Sequence, residues 1–391
     1  MTPTRPETRA VHITAPALPN SRPISVPIYQ ASNFAFDDPD ALAAALDSPE
    51  TGFVYSRYAN PTTRALEETV AALEGGVGAV STASGMGAIN SALLGLLRSG
   101  DHVIAQRCLY GGTFATLADL TARFGIEVTY IPGDDPAEVA TAVRPNTRLL
   151  YLETIANPVT RVIDLPAFLA EGKAAGLTTI VDNTFATPLL CRPLAHGADI
   201  VLHSATKYLG GHSDITGGIL AFADEDLHRK VWHHAMELGA MADPFAAWLT
   251  IRGIQTLPIR MRQHCANAAV LAERLAEHPA VTAVHWPGLV SHPDHEVATR
   301  LLADFGGMIA FELAGGREAG HAFSKGVRVV QLAASLGGVE TTVLHPASTS
   351  HRQLNEEELA AAGIGAGMVR LSVGIEHVED LWSDIEQALP L

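Results

Sequence analysis

Between Ala79 and Phe222, short apolar runs alternate with stretches whose apolar residues recur at helical spacing. The runs predict strands at Ala79–Ser81, His102–Ala105, Glu127–Ile131, Leu149–Leu152, Thr179–Val181, Ile200–His203 and Gly218–Phe222. Helical patterns lie between them at Gly85–Leu97, Thr113–Phe124, Pro136–Val143 and Leu165–Ala175. Alternation of this kind predicts an α/β unit with a mostly parallel sheet and helices on both faces. After Trp248 the texture changes. A long helical pattern covers Phe245–Ala276, with a break expected at Pro258, and short strands follow at Met308–Leu313, Arg328–Gln331 and Val369–Val373. That pattern predicts a smaller α+β C-terminal domain.

The N-terminal segment is different. It is Pro-rich as far as Pro27, with a short acidic helix candidate at Asp38–Asp47. Regular structure starts where Asn60 can cap and Pro61 suits the first helical position. Helical periodicity then runs over Thr63–Leu73, and Gly75-Gly76 ends it. The expected division is an arm over 1–60, a large domain over 61–248 and a small domain over 249–391.

Composition removes several classes of function. The chain has 391 residues, beyond the roughly 250–300 at which single cores stop growing. Lys+Arg total 26 against Asp+Glu 42, a formal net charge of −16. That balance argues against binding nucleic acid or docking on anionic lipid. Cys108, Cys191 and Cys265 show no C-x-x-C spacing, so neither a zinc site nor a disulfide framework is expected. The longest uncharged run, Gly75–Leu97, holds Ser81, Thr82, Ser84, Asn90, Ser91 and several glycines, and reads as buried strand, loop and helix rather than a membrane span. Met1–Ala10 lacks the apolar stretch of a secretory signal. The expectation is a soluble, cytoplasmic protein acting on small molecules.

Five segments carry candidate chemistry. In the first, an apolar strand ends in Ser204-Ala-Thr206-Lys207 followed by glycines. Two hydroxyls and a lysine outside the carboxyl end of a strand suit an anionic ligand, and the lysine reads as phosphate counter-ion, Schiff-base nucleophile or plain surface lysine. Asp182 ends the preceding strand, where a buried carboxylate needs a partner such as a pyridinium nitrogen, unless it only caps a turn. Ser84-Gly85-Met86-Gly87 opens a helix and offers free N–H groups to a phosphate. Tyr110, also just past a strand, could stack on a flat ring or merely pack. Tyr55 and Arg57 could clamp a phosphate from outside the α/β pattern. Arg370 sits in mid-strand among apolar residues. It needs an anion such as a substrate carboxylate, unless the strand is an edge and the partner a surface acid. His203 and His212 flank the lysine loop without metal-ligand spacing, so no metal is expected, and Cys108 reads as core.

Taken in order, Tyr55-Ser-Arg57-Tyr-x-Asn60-Pro61-Thr62, Ser84-Gly85-Met86, Asp182-Asn183-Thr184, Ser204-Ala-Thr206-Lys207-Tyr208 and Ser335-Leu-Gly-Gly-Val-Glu340 resemble the Cys/Met-metabolism family of enzymes that use pyridoxal phosphate (PLP), of fold type I. The family includes cystathionine γ-synthase, cystathionine γ- and β-lyases, methionine γ-lyase and the O-acylhomoserine sulfhydrylases, and the likeness runs from about Pro27 to the C-terminus. It implies PLP as cofactor, held by Lys207, with Asp182 on the ring nitrogen and Gly85, Met86, Ser204 and Thr206 on the phosphate. It implies that Tyr110 stacks on the ring and works as acid and base. Asn157 then contacts the ring hydroxyl and the substrate, and Arg370, with Ser335 beside it, takes the substrate α-carboxylate. Tyr55 and Arg57 would reach the neighbouring subunit's phosphate, and Tyr55 its substrate. The active unit would be a dimer, usually paired into a homotetramer.

The departures narrow the reaction. Gly112 stands where methionine γ-lyases typically carry cysteine. Ala334 stands where members that handle cystathionine usually carry glutamate, which makes the pocket less polar. The tail His345–Leu354 resembles the sulfhydrylase branch, yet the chain lacks that branch's usual insertion. The expected activity is γ-elimination from a methionine- or homocysteine-like amino acid, giving 2-oxo acid, ammonia and thiol. The alternatives are γ-replacement on an O-acylhomoserine, cystathionine γ-lysis, or a specialised biosynthetic γ-lyase or γ-synthase. A non-catalytic binding protein and an aminotransferase of the same fold type are the rivals from outside the family.

Overall fold

The computed structural model describes residues 4–15, 20–47, 52–350, 352, 355, 357, 359 and 363–390. His351, Gln353 and Leu354 of the sulfhydrylase-like tail lie outside them. Seven strands form the first sheet: β1 (Gly78–Thr82), β2 (His102–Gln106), β3 (Glu127–Ile131), β4 (Thr147–Glu153), β5 (Thr178–Asp182), β6 (Ile200–His203) and β7 (Gly218–Phe222). Their order is β1-β7-β6-β5-β4-β2-β3. Neighbours from β3 to β6 run parallel, whereas β7 is antiparallel to both β6 and β1. The reversal has a local cause. Residues 204–217 join β6 to its spatial neighbour β7 without the helical crossover that a parallel return requires.

The strands place alternate residues on opposite faces, and each face has its own core. Ile104, Leu150, Leu152, Val181 and Val201 pack under the helices Pro61–Glu74 and Leu165–Ala174. Val103, Leu149, Tyr151, Ile180 and Ile200 pack under Gly85–Leu96, Gly111–Phe124 and Glu225–Leu238. The last of these helices was not anticipated from the sequence. A second sheet holds β8 (Val281–His285), β9 (Met308–Leu313), β10 (Gln331–Leu332), β11 (Thr342–Leu344) and β12 (Met368–Ser372) in the order β10-β11-β12-β9-β8. Among the described residues, no helix is long and apolar enough to cross a membrane.

The structure departs from the sequence pattern at Pro258 and at Arg328. The helix expected to break at Pro258 runs unbroken from Pro244 to Glu277. Its N-terminal part packs Ile251, Ile254 and Leu257 under the first sheet, and its C-terminal part packs Leu271 and Leu275 against the second. Burial along the whole length outweighs the one backbone bond that a proline removes. The expected boundary at 248/249 falls inside this helix. The strand expected over Arg328–Gln331 begins only at Gln331, because the N–H groups of Arg328, Val329 and Val330 all donate to the Asp384 carboxylate at 2.7–3.0 Å. Arg370 does not lie on an edge strand, since β12 is paired on both sides, by β11 and β9.

The long helix also holds the loop that follows Lys207. Arg260 donates to the carbonyls of Tyr208 and Gly253 at 2.8 and 2.6 Å. A Cβ on Gly253 would lie 2.2 Å from the Gly210 carbonyl oxygen and 2.4 Å from that of Leu209. Both obstacles are backbone, so no side chain can swing away. Gly253→Ala is therefore expected to destabilise the protein by about 1–2 kcal/mol, overpacking outweighing the helix-propensity gain of alanine. Chemical denaturation checks this, and an unchanged midpoint would refute the close approach.

Candidate active site

The phosphate-sized cradle comes from three chain segments. Ser84 caps the helix Gly85–Leu96, its Oγ accepting from Gly87 N at 3.0 Å while Ala88 N donates to the Ser84 carbonyl. The N–H groups of Gly85 and Met86, in the first turn of this helix, have no intrahelical acceptor and remain for a ligand. Gly85 lies against Ser204, and a Cβ there would sit 2.8 Å from Ser204 Oγ. Ser204 N donates to Thr184 Oγ1 at 2.9 Å, and Thr206 Oγ1 exchanges hydrogen bonds with the backbone of Gly217 at 3.0 and 3.2 Å. The two hydroxyls are thus set on a braced loop at the mouth of a helix dipole.

Lys207 sits on that loop, in the β6–β7 connection. Its Nζ donates to Ser335 Oγ at 2.6 Å. Burial first, and then the nearby Arg370 charge, bring the amine down to about 8, with Asp182 pulling the other way. Arg370 is buried. It donates to Asn157 Oδ1 and to the Ser335 carbonyl, both at 2.8 Å, while its Nε has no partner. No carboxylate pairs with it among the described residues, and burial pushes it down to about 10. A buried cation without an anion is a site built to receive one.

The depressed lysine gives a pH prediction. Only the neutral amine attacks an aldehyde, and above about pH 8 the amine is mostly neutral. The apo-protein should therefore take up PLP at a rate that rises about tenfold per unit at low pH and levels off above about 8, not near the ordinary lysine value. Stopped-flow absorbance reads this, and a rise that continues to pH 10 would contradict it.

Asp182 closes β5, and Thr184 N and Oγ1 bond its Oδ1 at 3.0 and 2.5 Å, which leaves Oδ2 for a ligand. Burial raises its pKa, and the Thr184 bonds and the fields of His203 and Lys207 oppose that rise. Tyr110 stands where the helix Gly111–Phe124 begins, with its ring folded over Gly112. A Cβ on Gly112 would meet the Tyr110 ring at 2.5 Å and Met86 Sδ at 2.9 Å. Glu153, at the end of β4 and beside Asp182 in register, went unrecognised in the sequence. Its buried carboxyl accepts from Tyr110 N at 2.6 Å and from Asn157 N at 3.2 Å, so one side chain sets two of the expected site residues. Burial and the Asp182 charge hold its pKa well above the usual range. The available signal was the acidic residue ending the strand next to that of Asp182. Cys108 packs against the cluster containing Val159, and burial pushes its thiol up to about 12, which makes it a poor nucleophile.

Tyr55 and Arg57 are not brought to this group within one chain. Arg57 donates to Met236 O at 3.1 Å and lies over the rings of Tyr55 and Tyr58. No described contact links either residue to Lys207, Asp182 or Ser204. Tyr55 is 43% exposed.

The donor set fits PLP. Free N–H groups and hydroxyls suit its phosphate, Asp182 Oδ2 suits a protonated ring nitrogen, and an amine lowered to about 8 suits its aldehyde. Comparison with known proteins agrees. The family described as Cys/Met metabolism PLP-dependent enzyme matches residues 7–390. L-Methionine gamma-lyase of Fusobacterium nucleatum subsp. polymorphum is 46% identical over 94% of this chain and 93% of its own length. Cystathionine gamma-synthase of Mycobacterium bovis is 43% identical over 98% and 96%. The crystal structure of cystathionine gamma synthase from Xanthomonas oryzae pv. oryzae, in complex with aminoacrylate and cysteine, superposes with a TM-score of 0.93 at 40% identity, covering 99% of this chain and 98% of that one.

Proposed function

The chain belongs to the Cys/Met metabolism PLP-dependent enzyme family, whose members carry out γ-elimination or γ-replacement, and we propose that this member is a γ-lyase of methionine or homocysteine. The observation that carries the reading is the grouping of Lys207, Ser335 and the unpaired Arg370 beside Ala334, a methyl group rather than a charge. Arg370 holds the α-carboxylate of the amino acid, with Asn157 and the Ser335 carbonyl fixing its fork. Bound PLP supplies an electron sink that makes the Cα proton acidic. Lys207 Nζ, neutral above about pH 8, would take that proton, give it up to the bound cofactor and, neutral again, take one from Cβ, and Ser335 Oγ holds the amine in reach. Tyr110 gives the departing sulfur its proton. Gly85, Met86, Ser204 and Thr206 anchor the cofactor phosphate and Asp182 its ring nitrogen. Overall, methionine and water become 2-oxobutanoate, ammonia and methanethiol.

Tyr55 and Arg57 complete the neighbouring subunit's site, so the working unit is a dimer, and two dimers form a cytoplasmic homotetramer. The exposure of Tyr55 supports this assignment. γ-Replacement on an O-acylhomoserine is the second reading, favoured by Gly112 and by the likeness to cystathionine gamma-synthase. A substrate comparison on the PLP-loaded enzyme separates the two. Methionine or homocysteine should give the higher kcat/KM. Faster conversion of O-acetyl- or O-succinylhomoserine with cysteine or sulfide would reverse the assignment.

A further inference from the structure

One face of the helix Pro244–Glu277 meets both halves of the active site. Arg260, His264 and Asn267 stand at i, i+4 and i+7, a spacing that puts them on one side of a helix, and all three are buried. Toward the first sheet, Arg260 Nη1 donates at 2.8 Å to the carbonyl of Tyr208, the residue after Lys207. Its Nε and Nη2 are tied back to Thr256 Oγ1 at 3.1 Å and to the Gly253 carbonyl at 2.6 Å, so the guanidinium is held in one orientation. A Cβ on Gly211 would overlap that guanidinium, so the lysine loop closes tightly around it. Toward the second sheet, His264 Nδ1 donates to the Val373 carbonyl at 2.7 Å. Asn267 Nδ2 donates to the carbonyls of Gly374 and Glu376 at 3.0 and 2.8 Å. Val373 and Gly374 come directly after β12, the strand that carries Arg370. Between the two sets of contacts, the Tyr208 ring stands edge-on to His264 with centroids 5.2 Å apart.

Arg260 is 3% exposed, and no carboxylate pairs with it among the described residues. A buried cation satisfied only by hydroxyl and carbonyl oxygens is costly, and an apolar side chain would fill the place at less cost. Its planar fork does what an apolar side chain cannot, since it fixes three acceptors in set directions. The peptide after Lys207 is thereby referred to the helix, and the helix to the exit of β12. Lys207 and Arg370 belong to different sheets, and a second link between them, Lys207 Nζ to Ser335 Oγ, runs through the amine that has to move during reaction. The helix contacts involve no moving group.

We propose that Arg260 and Asn267 are positioning residues, and that this helix face sets the separation between the amine that moves the substrate protons and the guanidinium that holds the substrate carboxylate. A misplacement of about 1 Å at reacting groups costs on the order of 100-fold in rate. The proposal rests on the roles given to Lys207 and Arg370.

The test compares Arg260→Gln, Asn267→Ala and the double variant. In the PLP-loaded enzyme each single variant should lower kcat for methionine about tenfold or more while KM stays within about threefold. Two links in series fail when either is cut, so the double variant should lose little more than the larger single change. A second readout separates the two ends. Stopped-flow absorbance should show the apo-protein of Arg260→Gln taking up PLP more slowly than the wild type, because the lysine loop has lost its brace, and that of Asn267→Ala taking it up at the wild-type rate. Arg260→Lys, which can reach a carbonyl but cannot hold three acceptors, replaces Arg260→Gln if that variant does not fold, and if neither folds the kcat of Asn267→Ala decides. Variants that lose thermal stability but keep kcat overturn the proposal, as do losses that multiply in the double variant. Turnover that survives Lys207→Ala would instead sink the reading on which the proposal rests.

Discussion

Lys207→Ala should lose the visible absorbance of lysine-bound cofactor and lower turnover by at least roughly 10³-fold, because one side chain both captures the cofactor and moves the substrate protons. The fold should survive. The substitution removes a half-buried amine whose side-chain partner, Ser335 Oγ, is itself exposed to water. The cradle at Gly85, Met86 and Ser204 is untouched, so PLP should still bind without a covalent bond, at lower affinity. Absorbance spectra, equilibrium dialysis and thermal unfolding separate these effects. A variant that unfolds, or that keeps both its band and its turnover, would show that Lys207 does not hold the central place given to it.

Arg370→Leu should act on the substrate and not on the cofactor. Removing one partner of a buried charge pair costs about 2–5 kcal/mol, or roughly 30- to 5,000-fold in kcat/KM. The loss should extend to every substrate with an α-carboxylate, while the absorbance of the bound cofactor stays as in the wild type. Arg370→Lys should recover little, since a point charge cannot reproduce the fork that also binds Asn157 and the Ser335 carbonyl. Stability should hold, because the arginine is a buried cation with no carboxylate partner among the described residues. Steady-state kinetics with methionine and a decarboxylated analogue checks the assignment. Equal losses on both compounds would place the effect elsewhere.

What was legible in the sequence was local. Lys207, Asp182 and the Ser84–Met86 turn each end or follow an apolar strand, where periodicity alone locates the carboxyl edge of a parallel sheet. The strands Glu127–Ile131, Ile200–His203, Gly218–Phe222 and Met308–Leu313 fall where the apolar runs put them. What stayed hidden depends on neighbours distant in the chain. Glu153 matters because β4 lies beside β5. The N–H groups of Arg328–Val330 are taken by Asp384, which no pattern within that segment announces. Pro258 misled because local propensity was outweighed by two cores that grip one helix. Net charge had the same limit. The value of −16 argued against polyanionic partners but gave no sign that the site's own cations, Lys207 and Arg370, converge on one cleft.

The most direct test of the account is to give L-methionine to the PLP-loaded enzyme and to its Lys207→Ala variant, and to follow 2-oxobutanoate, ammonia and thiol together. The wild type should release the three in equal amounts and the variant none. A loaded wild type that yields no 2-oxobutanoate from methionine or homocysteine, or a variant that still yields it, would contradict a γ-elimination centred on Lys207.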